Sequence, residues 1–265
     1  MTFFESLRTE PEYNLALEEF LCRRAARDGG AFFMLWRNAP SVIIGRFQDM
    51  FSEVDTAFAA ARHIPVVRRN SGGGAVYHDL GNVNYSFILP DRREPGGNPA
   101  PDYGFGAFAE KVIGALASAG VAAEFSQSGN DITAGGRKIS GMAQFRHNGV
   151  LLCHGTLLFD CDMKNMAHVL NVTDEKLRRH GVRSVRSRVG NLKPLLSGVA
   201  DTETFMALLR KSFRGEGETL DLSALDEEAV RRLMEKKYRS RAWNEEGRCE
   251  EPGLMEAFPE GRGEA

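Results

Sequence analysis

The sequence predicts an α/β (α+β) domain built around one mixed β-sheet. Strand-length apolar runs alternate with helical patterns along the chain. Three consecutive glycines, Gly72, Gly73 and Gly74, lie between two of those runs. No internal repeat divides the 265 residues, so the length suits one large domain or a domain with a small appendage.

Residues 14–26 read as an amphipathic helix, with Leu17, Phe20, Leu21 and Arg24 at helical spacing and Gly29-Gly30 as the stop. Residues 31–36 and 41–45 read as strands joined by Arg37-Asn38-Ala39-Pro40. A short helix over residues 54–61 precedes a strand over 64–67, and residues 84–89 form the strand after the glycines. Residues 91–102, rich in Pro, Gly and charge, make a loop before a helix over 105–119 that ends at Gly120. Residues 121–125 are extended, and brief strands over 130–133 and 138–141 flank the turn at 134–137. Residues 150–159 carry the pattern of a buried strand and residues 163–170 that of a helix, while residues 176–191 are basic without clear periodicity. Helices over 202–213 and 226–238 follow, the second with Ser223 and Asp226 as caps. From Arg248 the chain is rich in Gly, Glu and Pro, which divides it into a domain over 1–247 and a short, disordered tail over 248–265.

A net charge of −2 gives no global drive toward nucleic acid or a membrane surface, so any basic site is local. The longest apolar stretches are too short for a spanning helix, and the N-terminus lacks a basic region followed by an apolar core. Cys22, Cys153, Cys161 and Cys249 have no zinc-type spacing, and a reducing cytoplasm is the expected compartment.

The segment Arg68-Arg69-Asn70-Ser71-Gly72-Gly73-Gly74-Ala75-Val76-Tyr77-His78-Asp79 is the richest in chemistry. Residues without side chains let a ligand approach the backbone, and their N–H groups can converge on an anion. The arginines add positive charge and forked donors suited to carboxylate or phosphate. A flexible linker has the same composition, but Val76-Tyr77 resumes a strand at once. Lys138 beside a turn is either a solvated lysine or a point charge on a phosphate or carboxylate. Asn130-Asp131 either caps that turn or supplies a magnesium ligand or a charge partner for Lys138. His154 is either a core histidine or a site residue, with the adjacent Gly155 suggesting a close backbone approach. Cys153 reads as a buried structural thiol or a nucleophile. The run from Arg178 to Arg188 suits a phosphate clamp better than single-strand nucleic acid, since it lacks interleaved aromatics. No Walker-type phosphate loop is present.

Taken in order, these blocks resemble the lipoate–protein ligase A family. Residues 68–87 resemble its lipoate-binding loop, and Gly129-Asn130-Asp131-Ile132, residues 136–143 and residues 154–158 resemble its next signatures. Residues 181–192 resemble its adenylate-binding loop, and the likeness runs from Asn14 to Trp243-Asn244. The resemblance implies the biotin/lipoate ligase fold and two reactions: lipoate and ATP give lipoyl-AMP, then an acceptor lysine takes the lipoyl group. It implies ATP, Mg2+ and lipoate as ligands, and lipoyl domains of E2 subunits or glycine-cleavage H protein as partners. Lys138 is the implied catalytic residue. Arg69, Ser71, Gly72, Gly73, Gly74, Val76, Tyr77, His78, Ala143 and His154 are the implied lipoate-binding residues. Gly74, Asn82, Asn130, Asp131, Lys138, Arg183, Ser184 and Arg186 fall to the nucleotide, with Asp131 also on the metal. Many such ligases carry an accessory domain after this point; the expectation here is either a separate accessory subunit for full adenylation or a chain that performs only the transfer step. The rival of the same fold is an octanoyl- or lipoyltransferase working through a Cys153 thioester without ATP. The rival of another class is a lipoate binder without catalysis.

Overall fold

In the computed structural model, the residues described are 1–93, 100, 103–126, 129–171, 189–214 and 225–249. Ten strands are found among them: β1 (Thr2–Glu5), β2 (Phe32–Trp36), β3 (Ser41–Ile44), β4 (Val66–Arg68), β5 (Val76–His78), β6 (Asn82–Pro90), β7 (Ala123–Phe125), β8 (Asp131–Ala134), β9 (Arg137–His147) and β10 (Val150–Leu158). They form two sheets rather than the single sheet expected. The larger has the order β1-β2-β6-β10-β9-β8-β7 and is antiparallel except for β1 beside β2. The smaller has the order β4-β3-β5, with β3 parallel to β4 and antiparallel to β5. The separation has a local cause. The chain crosses over through α2 (Met50–Glu53) and α3 (Thr56–Ala61) before β4, and the glycine loop then returns it as β5 on the other side of β3. Those three short strands satisfy one another, and β2 pairs with β1 and β6 instead.

The large sheet is covered on both faces, which makes β2 buried throughout and β6 and β10 buried over most of their length. Phe33, Leu35, Tyr85, Phe87, Leu151 and Cys153 point to one core, packed under α4 (Phe105–Ser118) and α6 (Thr202–Arg214). Met34, Trp36, Ile88, Val150 and Leu152 point to the other, under α1 (Pro11–Asp28) and α7 (Glu227–Leu233). A third core lies between the small sheet, α3 and α5 (Met163–Val169). Pro near its start and Gly29 at φ 71 bound α1. Asp226 caps α7 by accepting from Ala229 N at 3.0 Å, whereas Ser223 lies outside the described residues.

Several elements depart from the sequence reading. β9 continues six residues past the expected end at Gly141, because it pairs with β10 from Ser140 to His147. The last long helix becomes a π turn over Met234–Tyr238 and is followed by α8 (Arg241–Glu246), which the sequence reading did not include. β1 and α2 were also missed, each only four residues long. No described helix is long and apolar enough to cross a membrane.

Candidate functional site

The glycine loop joins β4 to β5, and both arginines at its start face inward. Arg68 is buried, and its Nε donates to Trp243 O at 2.9 Å. Its Nη1 donates to the carbonyls of Gly45, Arg46 and Gln48, and its Nη2 to those of Asn244 and Glu245, over 2.6–3.1 Å. Arg69 donates through Nε to Ser71 Oγ at 2.9 Å, through Nη1 to Ile43 O at 3.1 Å, and through Nη2 to Gly72 O at 2.6 Å and Gly74 O at 2.9 Å. Burial pulls the Arg69 guanidinium down to about 10. These contacts correct the expectation that the two arginines offer free forked donors to an anion; they fold the loop.

The loop gains an anion-facing surface indirectly. Peptide units are planar and trans, so a carbonyl turned toward Arg69 turns the N–H of the same unit away from it. The units ending in Gly72 O and Gly74 O carry the N–H groups of Gly73 and Ala75, and both Gly73 and Gly74 are exposed. Arg69 thus aligns two peptide dipoles with their positive ends outward. Gly45 backs this loop closely: a Cβ there would meet Gly73 O at 2.1 Å.

Ser71 and His154 meet across the sheets. Ser71 Oγ lies 2.6 Å from His154 Nε2, and His154 Nδ1 lies 2.8 Å from Glu18 Oε1 on α1. Glu18 also accepts from Ser86 Oγ at 2.5 Å, and Ser86 accepts from Trp36 Nε1 at 2.9 Å. His154 is therefore a buried, fully engaged link between α1 and the loop. Gly155 beside it is required by Tyr85: an added Cβ would meet the phenol oxygen at 2.3 Å. That close approach is internal packing, and corrects the suggestion of a ligand there.

On β9, Lys138 Nζ lies 2.7 Å from Asp131 Oδ1 on β8, which is the charge-partner reading of Asp131. A bulge between Ile132 and Thr133 shifts the pairing phase, so Lys138 reaches the side of Asp131 and its cross-strand partner Gly141. A Cβ on Gly141 would come within 3.0 Å of the ammonium. Two residues further, Ala143 lies 3.8 Å from where a Cβ on Gly73 would sit, so β9 passes from the cation to the glycine loop. Asn130 is tied to β9 by a side-chain bond to Met142 O and by Met142 N donating to its own carbonyl. Asn82 donates to Tyr77 O at 2.8 Å, while its Oδ1 and both amide atoms of Asn84 are buried without a partner among the described residues.

Val76 packs toward the α1 core and Tyr77 toward the small-sheet core, where burial pushes its phenol up to about 12. His78 is enclosed between Asn38 and Thr156, at 3.1 Å each. Cys153 points into the opposite core from His154, and burial raises its thiol to about 12. Arg183, Ser184 and Arg186 lie outside the described residues. The chain flanking them is fixed at both ends: Asn171 N donates to Glu53 O at 2.9 Å, and Gly190 N donates to Lys138 O at 2.9 Å. Glu18, Glu19, Gly45 and Asn70 are the residues that sequence reasoning passed over. The available signal for the acids was their adjacency in a helix otherwise apolar on that side, between Leu17 and Phe20.

A family model, the lipoyl protein ligase A/B catalytic domain, matches residues 10–214. The chain belongs to this family. Lipoate–protein ligase 1 of Staphylococcus aureus is 38% identical over 238 residues, which cover 89% of this chain and 70% of that protein. Among solved structures, the bi-partite lipoate protein ligase of Thermoplasma acidophilum, described with its E2 lipoyl domain, is 28% identical with a TM-score of 0.75. That match covers 92% of this chain and 95% of the other. A lipoate–protein ligase A bound with ATP is 27% identical with a TM-score of 0.75, covering 92% of this chain and 98% of that one. The mixed α/β architecture is accordingly that of the lipoyl ligase catalytic domains.

Proposed function

We propose that this chain is a lipoate–protein ligase that activates lipoate with ATP as lipoyl-AMP and passes the lipoyl group to a lysine of an acceptor domain. The observation that carries the reading is the Lys138 ammonium, lodged over Gly141 on the strand that reaches the glycine loop at Ala143. In the first step a carboxylate oxygen attacks the α-phosphate and pyrophosphate leaves. Two anions approach each other, so a fixed cation between them lowers the barrier. Lys138 supplies that charge, and Asp131 holds it in place until the ligands arrive. The outward N–H groups of Gly73 and Ala75 add donors that need no reorganisation. In the second step the acceptor amine attacks the acyl carbon and AMP leaves, with Lys138 again beside the departing phosphate.

Magnesium belongs to this scheme as part of the nucleotide. Among the described residues no group of three acidic, His or Cys side chains could hold a metal ion. Asp131 alone, with one oxygen on Lys138, suits an ion already carried by phosphates. An E2 lipoyl domain is the acceptor we favour, because the Thermoplasma ligase is described with one; H protein is the second candidate. That ligase being bi-partite also supports testing for a separate accessory subunit. Cys22, Cys153 and Cys161, buried thiols outside any disulfide, favour the cytoplasm. The thioester route finds no support, since Cys153 faces away from His154, and His154 is held by Ser71 and Glu18.

The test is lipoate-dependent exchange of pyrophosphate into ATP, with magnesium, by the chain alone and with any candidate accessory subunit. Lys138→Met is expected to lower exchange by about 100-fold or more, and Cys153→Ala to leave it within about twofold. Exchange that survives Lys138→Met, or ATP-independent transfer that dies with Cys153→Ala, would overturn the proposal.

A further inference from the structure

One residue along α1 from Glu18 lies a polar cluster that the proposed chemistry does not use. Glu19 is enclosed, and its Oε2 accepts from Lys237 Nζ at 2.8 Å, Tyr238 Oη at 2.6 Å and Asn70 Nδ2 at 2.9 Å. Arg23 reaches the other oxygen through Nη2 at 2.5 Å and Nε at 3.1 Å. Lys237 closes the ring by donating to Asn70 Oδ1 at 2.9 Å, and its ammonium sits 4.1 Å from the centre of the Trp243 ring. Burial opposes charge on Glu19, yet Lys237 and Arg23 hold its carboxyl down at about 2. Asn70 lies in the glycine loop, between Arg69 and Ser71.

We infer that Asn70 and Lys237 are positioning residues that hold the glycine loop in ligand-binding register. Two adjacent carboxylates of α1 fix two adjacent loop residues: Glu19 holds Asn70 directly, and Glu18 holds Ser71 through His154. The C-terminal elements grip the same stem a second time. Trp243 Nε1 donates to Arg68 O at 2.7 Å, and Asn244 Oδ1 accepts from Arg68 N at 2.9 Å. A buried Lys–Glu pair is a poor device for stability alone, because desolvation offsets much of its attraction. What this pair achieves is a fixed position for Asn70. Lys237 also lies in the π turn, an irregularity that proteins often place at functional sites.

The inference rests on the reading that the loop binds lipoate, and a thermodynamic cycle separates the two. Asn70→Ala removes the hold on the loop while leaving Glu19 paired with Lys237, Tyr238 and Arg23. Glu19→Gln combined with Lys237→Met removes the pair without leaving a lone buried charge. Each set is expected to raise the lipoate KM or Kd by about tenfold, with little change in kcat, as loss of a hydrogen bond to a charged group implies. The triple variant is expected to be no worse than either, since both remove one coupling. Losses that multiply to about 100-fold, or an unchanged KM in folded Asn70→Ala, would overturn it. Hydrogen exchange at residues 70–76 gives a readout independent of the ligand. Faster loop exchange in Asn70→Ala, with an unchanged melting temperature, supports positioning even if the unaltered chain binds no lipoate; unaltered exchange refutes it.

Discussion

His78 shows how far a single side chain can be specified by its neighbours. Asn14 Nδ2 donates to Arg8 O, Arg37 O and Asn38 Oδ1, each at 2.9 Å, so the remaining Asn38 amine donates to His78 Nδ1. The proton of the neutral ring is left on Nε2, facing Thr156 Oγ1. Burial first, then Arg69 and His154, hold this imidazole down at about 3. With the folded value below the ordinary one, the unfolded chain takes up the proton first as pH falls. Stability contributed by the neutral ring is therefore full above about pH 6.5 and is lost between there and about pH 3, at roughly 1.4 kcal/mol per pH unit. Urea unfolding at about pH 7 and about pH 5 should show a clearly smaller pH dependence in His78→Gln; parallel slopes would contradict this. At this scale the sequence singled out polar residues and was silent about what holds them. Lys138 stood out beside its turn, and it carries a partly buried charge paired with Asp131. Arg68 and Arg69 stood out equally, but both are spent inside the protein, and the carbonyls that hold Arg68 come from residues up to 177 positions away, which no local pattern encodes.

At the scale of elements, glycines that punctuate turns were easy to read and irregularities of pairing were not. Gly135 and Gly136, both at positive φ, turn β8 into β9 where the sequence indicated. The bulge in the same hairpin left no trace, because Ile132-Thr133 looks like any strand dipeptide. Yet the bulge is what aims Lys138. Gly141→Ala offers a direct check on that geometry. The added methyl presses on the flexible end of Lys138 and meets Asp131 Oδ1 at an ordinary 3.7 Å, so the fold should persist with a melting temperature within a few degrees. The displaced ammonium should cost about tenfold or more in the ATP–pyrophosphate exchange rate. A fully active, folded Gly141→Ala would mean that the lysine works from another position.

Across the whole molecule, the alternation of elements was legible in the sequence, but two sheets were read as one. Strand patterns announce burial, and β3 and β5 are as buried as their neighbours in the large sheet. Which strand pairs with which depends on the crossover through α2 and α3, a property of path rather than of composition. The same long-range organisation ties the two ends of the chain to the glycine loop. A chain ended after residue 247 keeps the π turn and α8, and is expected to bind lipoate. One ended after residue 233 lacks Lys237 and Trp243, and is expected to lose binding even where α1 and the large sheet still form; equal affinities would refute this. That dependence bears on synthesis. A ribosome reads out Ser71-Gly72-Gly73-Gly74 long before Lys237, Trp243 and Asn244 exist to brace them. The nascent protein thus carries its glycine loop unbraced through most of its translation, until residues 237–244 supply the contacts to Arg68 and Asn70.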